Sequence, residues 1–599
     1  MRRGAIIALL SIWPVGALAQ APGPAAPLAD SAEISRYRFD LARNFFPTPE
    51  AEVAGRAELE REIEALATLS GRIASAPDLL AALEADDRAS RRFRRHDLYL
   101  FLRYAVDIRE EAGMRDAEAL RVRLRAARQA LRRAIAEKEA AWLDTAIGAN
   151  AALARYRHFI DTVRREAAHL PGPERQAAIT ALEPLLGARD YPRIVNGLSF
   201  GDVRVGDRTL NAGRDQAELD ASPSEAVRRE GSRLLFEGYA SQRQLFAQML
   251  IRVVEGGNAL AGLRGHASAA AEAAFNAYVA PGDYERLLAE VARHGDAYKA
   301  WQRRTGDPFA ITARWRPSEG AALISASAAA LDARYGQEFA ALLDPPNGRA
   351  DLAGGEHRLP ITGTASVYPT GQSAIYMRGY QGTLLDLIVL AHEGGHAVQA
   401  QLMARDNVPM VHAAGPGYFT ESFGRFQELL LLDHLLRHER SAPRRAELRD
   451  AFAARLLSVF PSAEEAAVEL AIHKGVGEGR IRTPDDLDSA AAAAGAPYSI
   501  DYERTPERRG VWMLADGYFM APMQELNDAY ASLLAIRYFQ LYRRDPARFR
   551  RGYLALLSGG YDAAPADLLR RHLDIDMNAP GFVAETMTAL RADIDALYR

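Results

Sequence analysis

The chain contains no cysteine in 599 residues. That absence removes thiolate metal ligands, a cysteine nucleophile, disulfide bridges and a lipid-modified N-terminal cysteine. A chain of this length does not need disulfides to hold a core. Positive charge is also lacking in excess, since the formal net charge is −4. The basic footprint of a nucleic-acid binder is therefore missing, and no nucleic-acid partner is expected. No repeat of fixed period runs through the chain. Past the N-terminal segment no apolar run is long enough to cross a bilayer. What remains is 48% hydrophobic and 25% charged residues, a soluble globular composition that supplies a large core.

The one long apolar segment stands at the start, in "MRRGAIIALLSIWPVGALAQ". Arg2 and Arg3 precede an apolar run from Ala5, and the small residues Ala17 and Ala19 close it. This is the charged, apolar and A-x-A order of a secretory signal peptide, residues 1–19, cleaved after Ala19. The run is shorter than the ~20 residues of a spanning helix, and Pro14 interrupts it. The expectation is an exported protein, periplasmic or secreted, with no stable membrane insertion after cleavage. Residues 20–30 read as a Pro/Ala linker.

Beyond the linker the dominant period is helical, over 31–185, 223–304, 426–457 and 526–599. Leu120, Leu124, Leu131 and Ile135 form one apolar stripe, and arginines fill the other face. The run "RRFRRH" at 91–96 lies among acidic helices and reads as a solvated face paired with those acids. A turn-rich stretch at 187–215 separates an N-terminal helical lobe, 31–200, from a helical domain, 201–599. Strand signals are few. They concentrate in "ITGTASVYPTGQSAIYMRGY" (361–380), where Tyr376 and Tyr380 read first as packing aromatics.

Immediately after comes "LAHEGGHAVQ", residues 390–399. His392 and His396 are four apart and project from one helix face. Zinc accepts imidazole nitrogen at about 2.0–2.1 Å, and catalytic zinc keeps a position open for water. Glu393 sits beside such a metal without ligating it and serves as general base in the H-E-x-x-H arrangement. Thr383 followed by Asp386 is a capping-box spacing and starts the helix. Two adjacent glycines at 394 and 395 are poor helix formers; they either permit close approach of another backbone or leave a small void, and the void is the expectation here. No histidine continues the motif, so a third ligand must come from elsewhere. In "GPGYFTESFGRFQELLLLDHLL" (415–436) Glu421 and Glu428 are seven apart and share a helix face. Glu421 reads as the third ligand and Glu428 as an acceptor for a histidine ring N–H.

The segments "GYQGTLLDLIVLAHEGGHAVQ", "TESFGRFQELLLLDHLL", "AAVELAIHKGVGEG" and "YLALLSGGYDAAPADLLRRHLDIDMNAPG" together resemble, in order and spacing, the oligoendopeptidase F branch of the thimet oligopeptidase family. The resemblance implies a mainly α, two-lobed, zincin-like metallopeptidase with a small β-sheet next to the zinc helix. It also implies a deep central channel that admits oligopeptides and excludes folded proteins, with an extended peptide held on the strand-like "SAIYMRGY" (373–380) by strand addition. It implies one zinc per chain on His392, His396 and Glu421, with Glu393 activating a zinc-bound water and Glu428 at the second carboxylate position. It says nothing of oligomeric state.

One departure bears on rate. The family carries a histidine and several tyrosines in the segment matching "WMLADGYFMAPMQELNDAYASLL" (512–534), and no histidine is present here. Gly517 falls at its place, and only Tyr518 and Tyr530 remain. Aligned forward from Trp512, the segment puts Gln524, Leu526 and Asp528 on the family's tyrosine positions. Aligned backward from "YASLL", it puts Tyr530 on the last of them. The second register is preferred, and it makes Tyr530 the expected oxyanion donor. The alternative is a catalytically impaired zinc- or peptide-binding relative that lacks these stabilising groups.

Overall fold

The computed structural model describes residues 31–182, 190–220, 222, 224–305, 313–359, 361, 363–366 and 373–599. The signal peptide and the linker lie outside the described residues. Helix α1 (Pro49–Ser70) starts at Thr48, whose hydroxyl accepts from Ala51 N, with proline in the first turn. Helix α2 (Ala76–Val106) starts with a capping box of Ser75 and Asp78. With α3 (Glu111–Ala136) these helices bury Leu59, Leu66, Leu83, Leu120, Leu124, Leu131 and Ile135 in one core. The stripe read from the sequence is this core face, and each buried leucine contributes about 1.5–3 kcal/mol. The arginines of 91–96 divide. Arg91 pairs with Asp87 at 2.7 Å and Arg92 with Glu62 at 2.8 Å. Arg95 instead lies 4.6 Å over the Phe46 ring, and His96 is buried beside the same ring.

The larger core unites residues from the 270s to the 590s, and a further core joins Phe246 and Val254 to Ile472, Trp512 and Phe519. The fold is thus mainly α and two-lobed. A hairpin of β1 (Asp202–Val205) and β2 (Arg208–Asn211) turns at Gly206, φ +61°, in the turn-rich stretch. Helices α4 (Pro317–Leu331) and α5 (Ala333–Leu343) precede a three-stranded sheet of β3 (Ala350–Asp351), β4 (Thr364–Ser366) and β5 (Ala374–Tyr376). The order is β3-β5-β4, with β3–β5 parallel and β4–β5 antiparallel. This corrects the strand-addition reading. β5 lies in the middle and pairs with a strand on each side, so the edges of the sheet among the described residues belong to β3 and β4. Tyr376 and Tyr380 are packing aromatics, with hydroxyls donating to Leu359 O at 2.9 Å and Trp315 O at 3.0 Å.

The sheet lies on α6 (Leu384–Arg405), which opens with the Thr383–Asp386 capping box. Helix α6 packs on α7 (Gly417–His438); α7 packs on α10 (Glu525–Arg544), which also contacts α8 (Val459–Gly477), and the short α9 (Asp516–Met520) precedes α10. These helices are buried on nearly every side, so they carry no amphipathic stripe. The two glycines of α6 leave no void. A Cβ on Gly394 would meet Phe339 Cε1 of α5 at 2.3 Å, and one on Gly395 would meet Gly424 Cα of α7 at 3.1 Å. The expectation of a small void is therefore wrong: both glycines are sites of close approach. Among the described residues no helix is long and apolar enough to cross a membrane.

Candidate metal centre

Helix spacing puts His392 and His396 on one face of α6, and tight packing at Gly395 brings that face against α7. Gly424 completes the fit, because a Cβ there would lie 2.8 Å from His392 Cε1. The result is a convergence of donors. His392 Nε2 lies 3.2 Å from Glu421 Oε2 and 3.1 Å from His396 Nε2, and His396 Nε2 lies 3.7 Å from Glu421 Oε1. His392, His396 and Glu421 are 2%, 6% and 4% exposed, so water does little to separate their charges. One ligand atom from each lies within 4.8 Å of the others, a group able to hold a metal ion.

Glu428, two turns from Glu421, sets the orientation. Its Oε1 is 2.7 Å from His392 Nδ1, and its Oε2 is 3.1 Å from Arg455 Nε. With Nδ1–H donating to Glu428, a neutral His392 turns the lone pair of Nε2 toward Glu421. Three lone-pair donors then face one another in a buried space, which demands a cation there, either a proton or a metal. Burial by itself pushes the His392 imidazole down, but hydrogen bonds with Glu421 and Glu428 overcome it and push it up to about 10. Burial likewise raises the Glu421 carboxyl, and His396 with His392 brings it well below the carboxylate range. The donor set of two imidazoles and one carboxylate suits a zinc-class ion.

Glu393 follows His392 and is buried beneath the sheet. A Cβ on Gly363 would lie 2.3 Å from Val389 Cγ1 and 3.7 Å from Glu393 Cγ, so the chain entering β4 runs over the Glu393 face of α6. The structure thus gathers His392, Glu393, His396, Glu421 and Glu428 in one place. Tyr530 stands near the start of α10, which packs on α7. Its ring packs 5.8 Å from Tyr284 and 5.4 Å from Tyr418, and its hydroxyl makes no hydrogen bond among the described residues. Tyr518 is buried and donates to Glu465 O at 2.7 Å. A Cβ on Gly517 would meet Glu525 Oε1 at 2.4 Å, so a carboxylate fills the space beside that glycine.

Sequence reasoning missed three charged side chains here. Arg455 partners Glu428, and Arg425 donates through Nη2 to Asp528 Oδ1 at 2.8 Å. Arg425 had a signal, since it stands four residues after Glu421 on the same face. Burial pushes the Asp528 carboxyl up to about 6, against the pull of Arg425 and with the help of Glu421.

The fold and site together define a mainly helical, two-lobed architecture with a candidate metal centre. No protein-family model matches the chain. The chromosomal oligoendopeptidase F of Lactococcus lactis subsp. cremoris is 26% identical over 206 residues, 33% of this chain and 33% of that protein. The chain therefore matches the curated relatives over about a third of their length. Over nearly all of its length it shares a fold with solved structures. A Chlamydophila abortus chain named as a peptidase superposes with a TM-score of 0.75 at 17% identity, over 94% of this chain and 98% of that one. Oligoendopeptidase-F from Enterococcus faecium superposes with a TM-score of 0.64 at 17% identity, over 90% of this chain and 97% of that one. The resemblance read from the motifs is thus matched by similarity to oligoendopeptidase F in sequence over about a third of the chain and in fold over most of it.

Proposed function

We propose that this chain is an exported zinc metalloendopeptidase that hydrolyses peptide bonds of short oligopeptides, with one zinc per chain on His392, His396 and Glu421. The observation that carries this reading is the buried convergence of two imidazoles and a carboxylate beside Glu393, in a fold shared with an oligoendopeptidase F structure. When bound, zinc lowers the pKa of a water to near 7 and polarises the scissile carbonyl. Glu393 takes the water's proton and passes it to the leaving amine. Glu428, braced by Arg455, holds the His392 ring with Nε2 turned to the centre. Tyr530 is proposed as a hydroxyl donor to the carbonyl oxygen as it gains charge. An extended peptide is proposed to add to the sheet at an edge strand, β4. Residues 1–19 direct export, and the lobes 31–200 and 201–599 enclose a deep channel to the centre.

The test is turnover of a quenched fluorescent peptide library with zinc measured on the same sample. The expected result is about one zinc per chain and cleavage that stops on chelation and returns with zinc. A protein that takes up no zinc with its site intact would sink the reading. Full zinc without turnover would favour the second reading, a binding relative without catalysis. That reading is supported by Glu525 filling the space beside Gly517, where the family resemblance places a histidine.

A further inference from the structure

Helices α6 and α7 meet along a seam of successive rungs. Glu428 Oε1 reaches His392 Nδ1 at 2.7 Å, and a Cβ on Gly395 would come within 3.1 Å of Gly424 Cα. The next rung is a side chain from elsewhere. Tyr561, in the turn between α11 (Pro546–Gly559) and α12 (Pro565–Leu573), places its hydroxyl between the two helices. Gln399 Nε2 of α6 donates to that oxygen at 3.0 Å, and Thr420 Oγ1 of α7 shares a hydrogen bond with it at 2.8 Å. The pairs His392 with Glu428, Gly395 with Gly424 and Gln399 with Thr420 step oppositely along the two helices, so the helices run antiparallel. His396 and Glu421 therefore lie between the glycine rung and the tyrosine rung. Gln399 shares the face of both histidines, at i+3 from His396 and i+7 from His392.

The seat of the ring is built into the backbone. Gly560 holds φ +71°, and Tyr561 N donates to His412 O, in the connection between α6 and α7, at 2.9 Å. A Cβ on Gly415 would meet Tyr561 Cδ1 at 2.2 Å, so that glycine leaves room for the ring. Phe419 packs edge-on against it, with centroids 5.8 Å apart. Tyr561 and Gln399 are both buried. The two histidines differ in how their rings are held. Glu428 orients His392, whereas His396 Nδ1 is buried and makes no hydrogen bond among the described residues. A metal-bound histidine is ordinarily fixed through its second ring nitrogen. Without that bond, the place of His396 relative to Glu421 depends on how the two helices are held at this end of the seam.

We propose that Tyr561 is a positioning residue for the metal centre: its hydroxyl ties Gln399 to Thr420 and so fixes the separation of His396 from Glu421, whose Nε2 and Oε1 stand 3.7 Å apart. The inference rests on the zinc reading above. Tyr561 acts through other residues and is not one of the converging ligands. A phenylalanine would fill the same space, and what the hydroxyl adds is a fixed length across the seam. Ligands held at their working separation before the ion arrives bind it more tightly, because less ordering remains to be done on binding.

Tyr561→Phe alone leaves the Gln399 amide buried without its acceptor, which by itself threatens folding. The decisive variant therefore replaces all the polar groups of the rung at similar volume, as Gln399→Met with Thr420→Val and Tyr561→Phe. Apolar replacement of every partner is close to neutral for stability, so this protein is expected to fold and melt near the wild type. It is expected to bind zinc ~10–100-fold more weakly in chelator competition. Cobalt(II) in place of zinc reads the ligand geometry, and its visible absorption bands are expected to change in the triple variant. Tyr498→Phe is the control. It removes a buried hydroxyl that donates to Leu288 O at 2.8 Å, outside the seam, and should leave zinc Kd and the cobalt spectrum as in the wild type. A triple variant within about threefold of wild-type Kd, or with an unchanged cobalt spectrum, would make Tyr561 a packing residue and overturn the proposal. So would an equal loss in Tyr498→Phe, because the loss would then report general destabilisation. If the triple variant does not fold, Thr420→Val alone decides: weaker zinc binding supports the proposal and wild-type Kd overturns it. Wild-type protein is titrated alongside. A wild type that takes up no zinc sinks the zinc reading and this inference with it, whereas a zinc-binding wild type matched by the triple variant sinks the inference alone.

Discussion

At the residue scale, the carboxylates around His392 separate by what each one touches. Glu393 is buried under β4 and is not one of the three residues whose ligand atoms converge, so Glu393→Gln should keep about one zinc per chain while kcat falls by several orders of magnitude. Metal analysis beside a peptide assay checks this, and a Gln variant with wild-type rate would remove Glu393 from the chemistry. Glu421 reaches both histidines, whereas Glu428 reaches only the far nitrogen of His392. Glu421→Ala should therefore lose zinc affinity outright, and Glu428→Ala should lose ~10–100-fold. The reverse order, measured by chelator competition, would exchange their roles. These residues were legible in the sequence because a helix turns spacing into a shared face. Arg455 and Asp528 were not, since their partners lie 27 and 103 residues away and only folding brings them together.

The same residues fix a pH dependence. In metal-free protein the His392 imidazole is pushed up to about 10, from an unfolded value near 6.5. A raised folded pKa means the proton adds stability that is complete below about pH 6.5 and is lost as pH rises through about 10. Metal has to displace that proton. Zinc affinity should thus rise ~10-fold per pH unit between about pH 7 and 9, with close to one proton released per zinc bound from this group. Titration against a chelator of known affinity in two buffers of different ionisation enthalpy measures both. A flat profile would show that His392 is already neutral in the metal-free protein.

At the element scale, the packing of α6 against α5 and α7 depends on side chains that are missing. Gly394→Ala would drive a methyl to 2.3 Å from Phe339 Cε1, and overpacking of this kind costs about 1–3 kcal/mol. Gly148, also helical, has nothing within 4 Å of its would-be Cβ, so Gly148→Ala should stabilise by up to ~1 kcal/mol. Thermal melts of the two variants should move in opposite directions; a shared direction would mean that helix propensity outweighs the contact with Phe339. Sequence patterning reads this scale unevenly. α1 to α3 face solvent on one side, so their stripe was visible. α6, α7 and α10 are surrounded, and α8 buries Val459, Glu465, Glu469 and His473 alike, which leaves no period to detect. The capping box of α6 survived because caps are local. The order of the sheet did not, because strands of two or three residues carry no readable alternation.

At the scale of the whole molecule, the N-terminal helices reach the connection between the two ligand-bearing helices. Arg91 Nη2 donates to Val408 O at 2.6 Å, Asp87 Oδ1 accepts from Met410 N at 2.6 Å, and Arg155 Nη2 donates to Asn407 O at 2.8 Å. A lobe that supplies no metal ligand thus grips the loop joining α6 to α7, where Asn407 holds φ +51°. Under the proposed function, size selection is the expected consequence of this and of the burial of the ligands themselves. On the peptidase reading, a group 2–6% exposed is out of reach of a loop that stays part of a compact protein, whereas an extended peptide of a few residues is slim enough to pass between packed helices. Short unstructured peptides should be cut, and a native protein of compact fold should survive the same enzyme concentration for hours. Denaturing and fragmenting that protein should render its own sequence cleavable, which separates exclusion by size from preference for side chains. Mass spectrometry of the two digests decides the matter: efficient cleavage of the native protein at exposed loops would mean that the lobes do not enclose the centre.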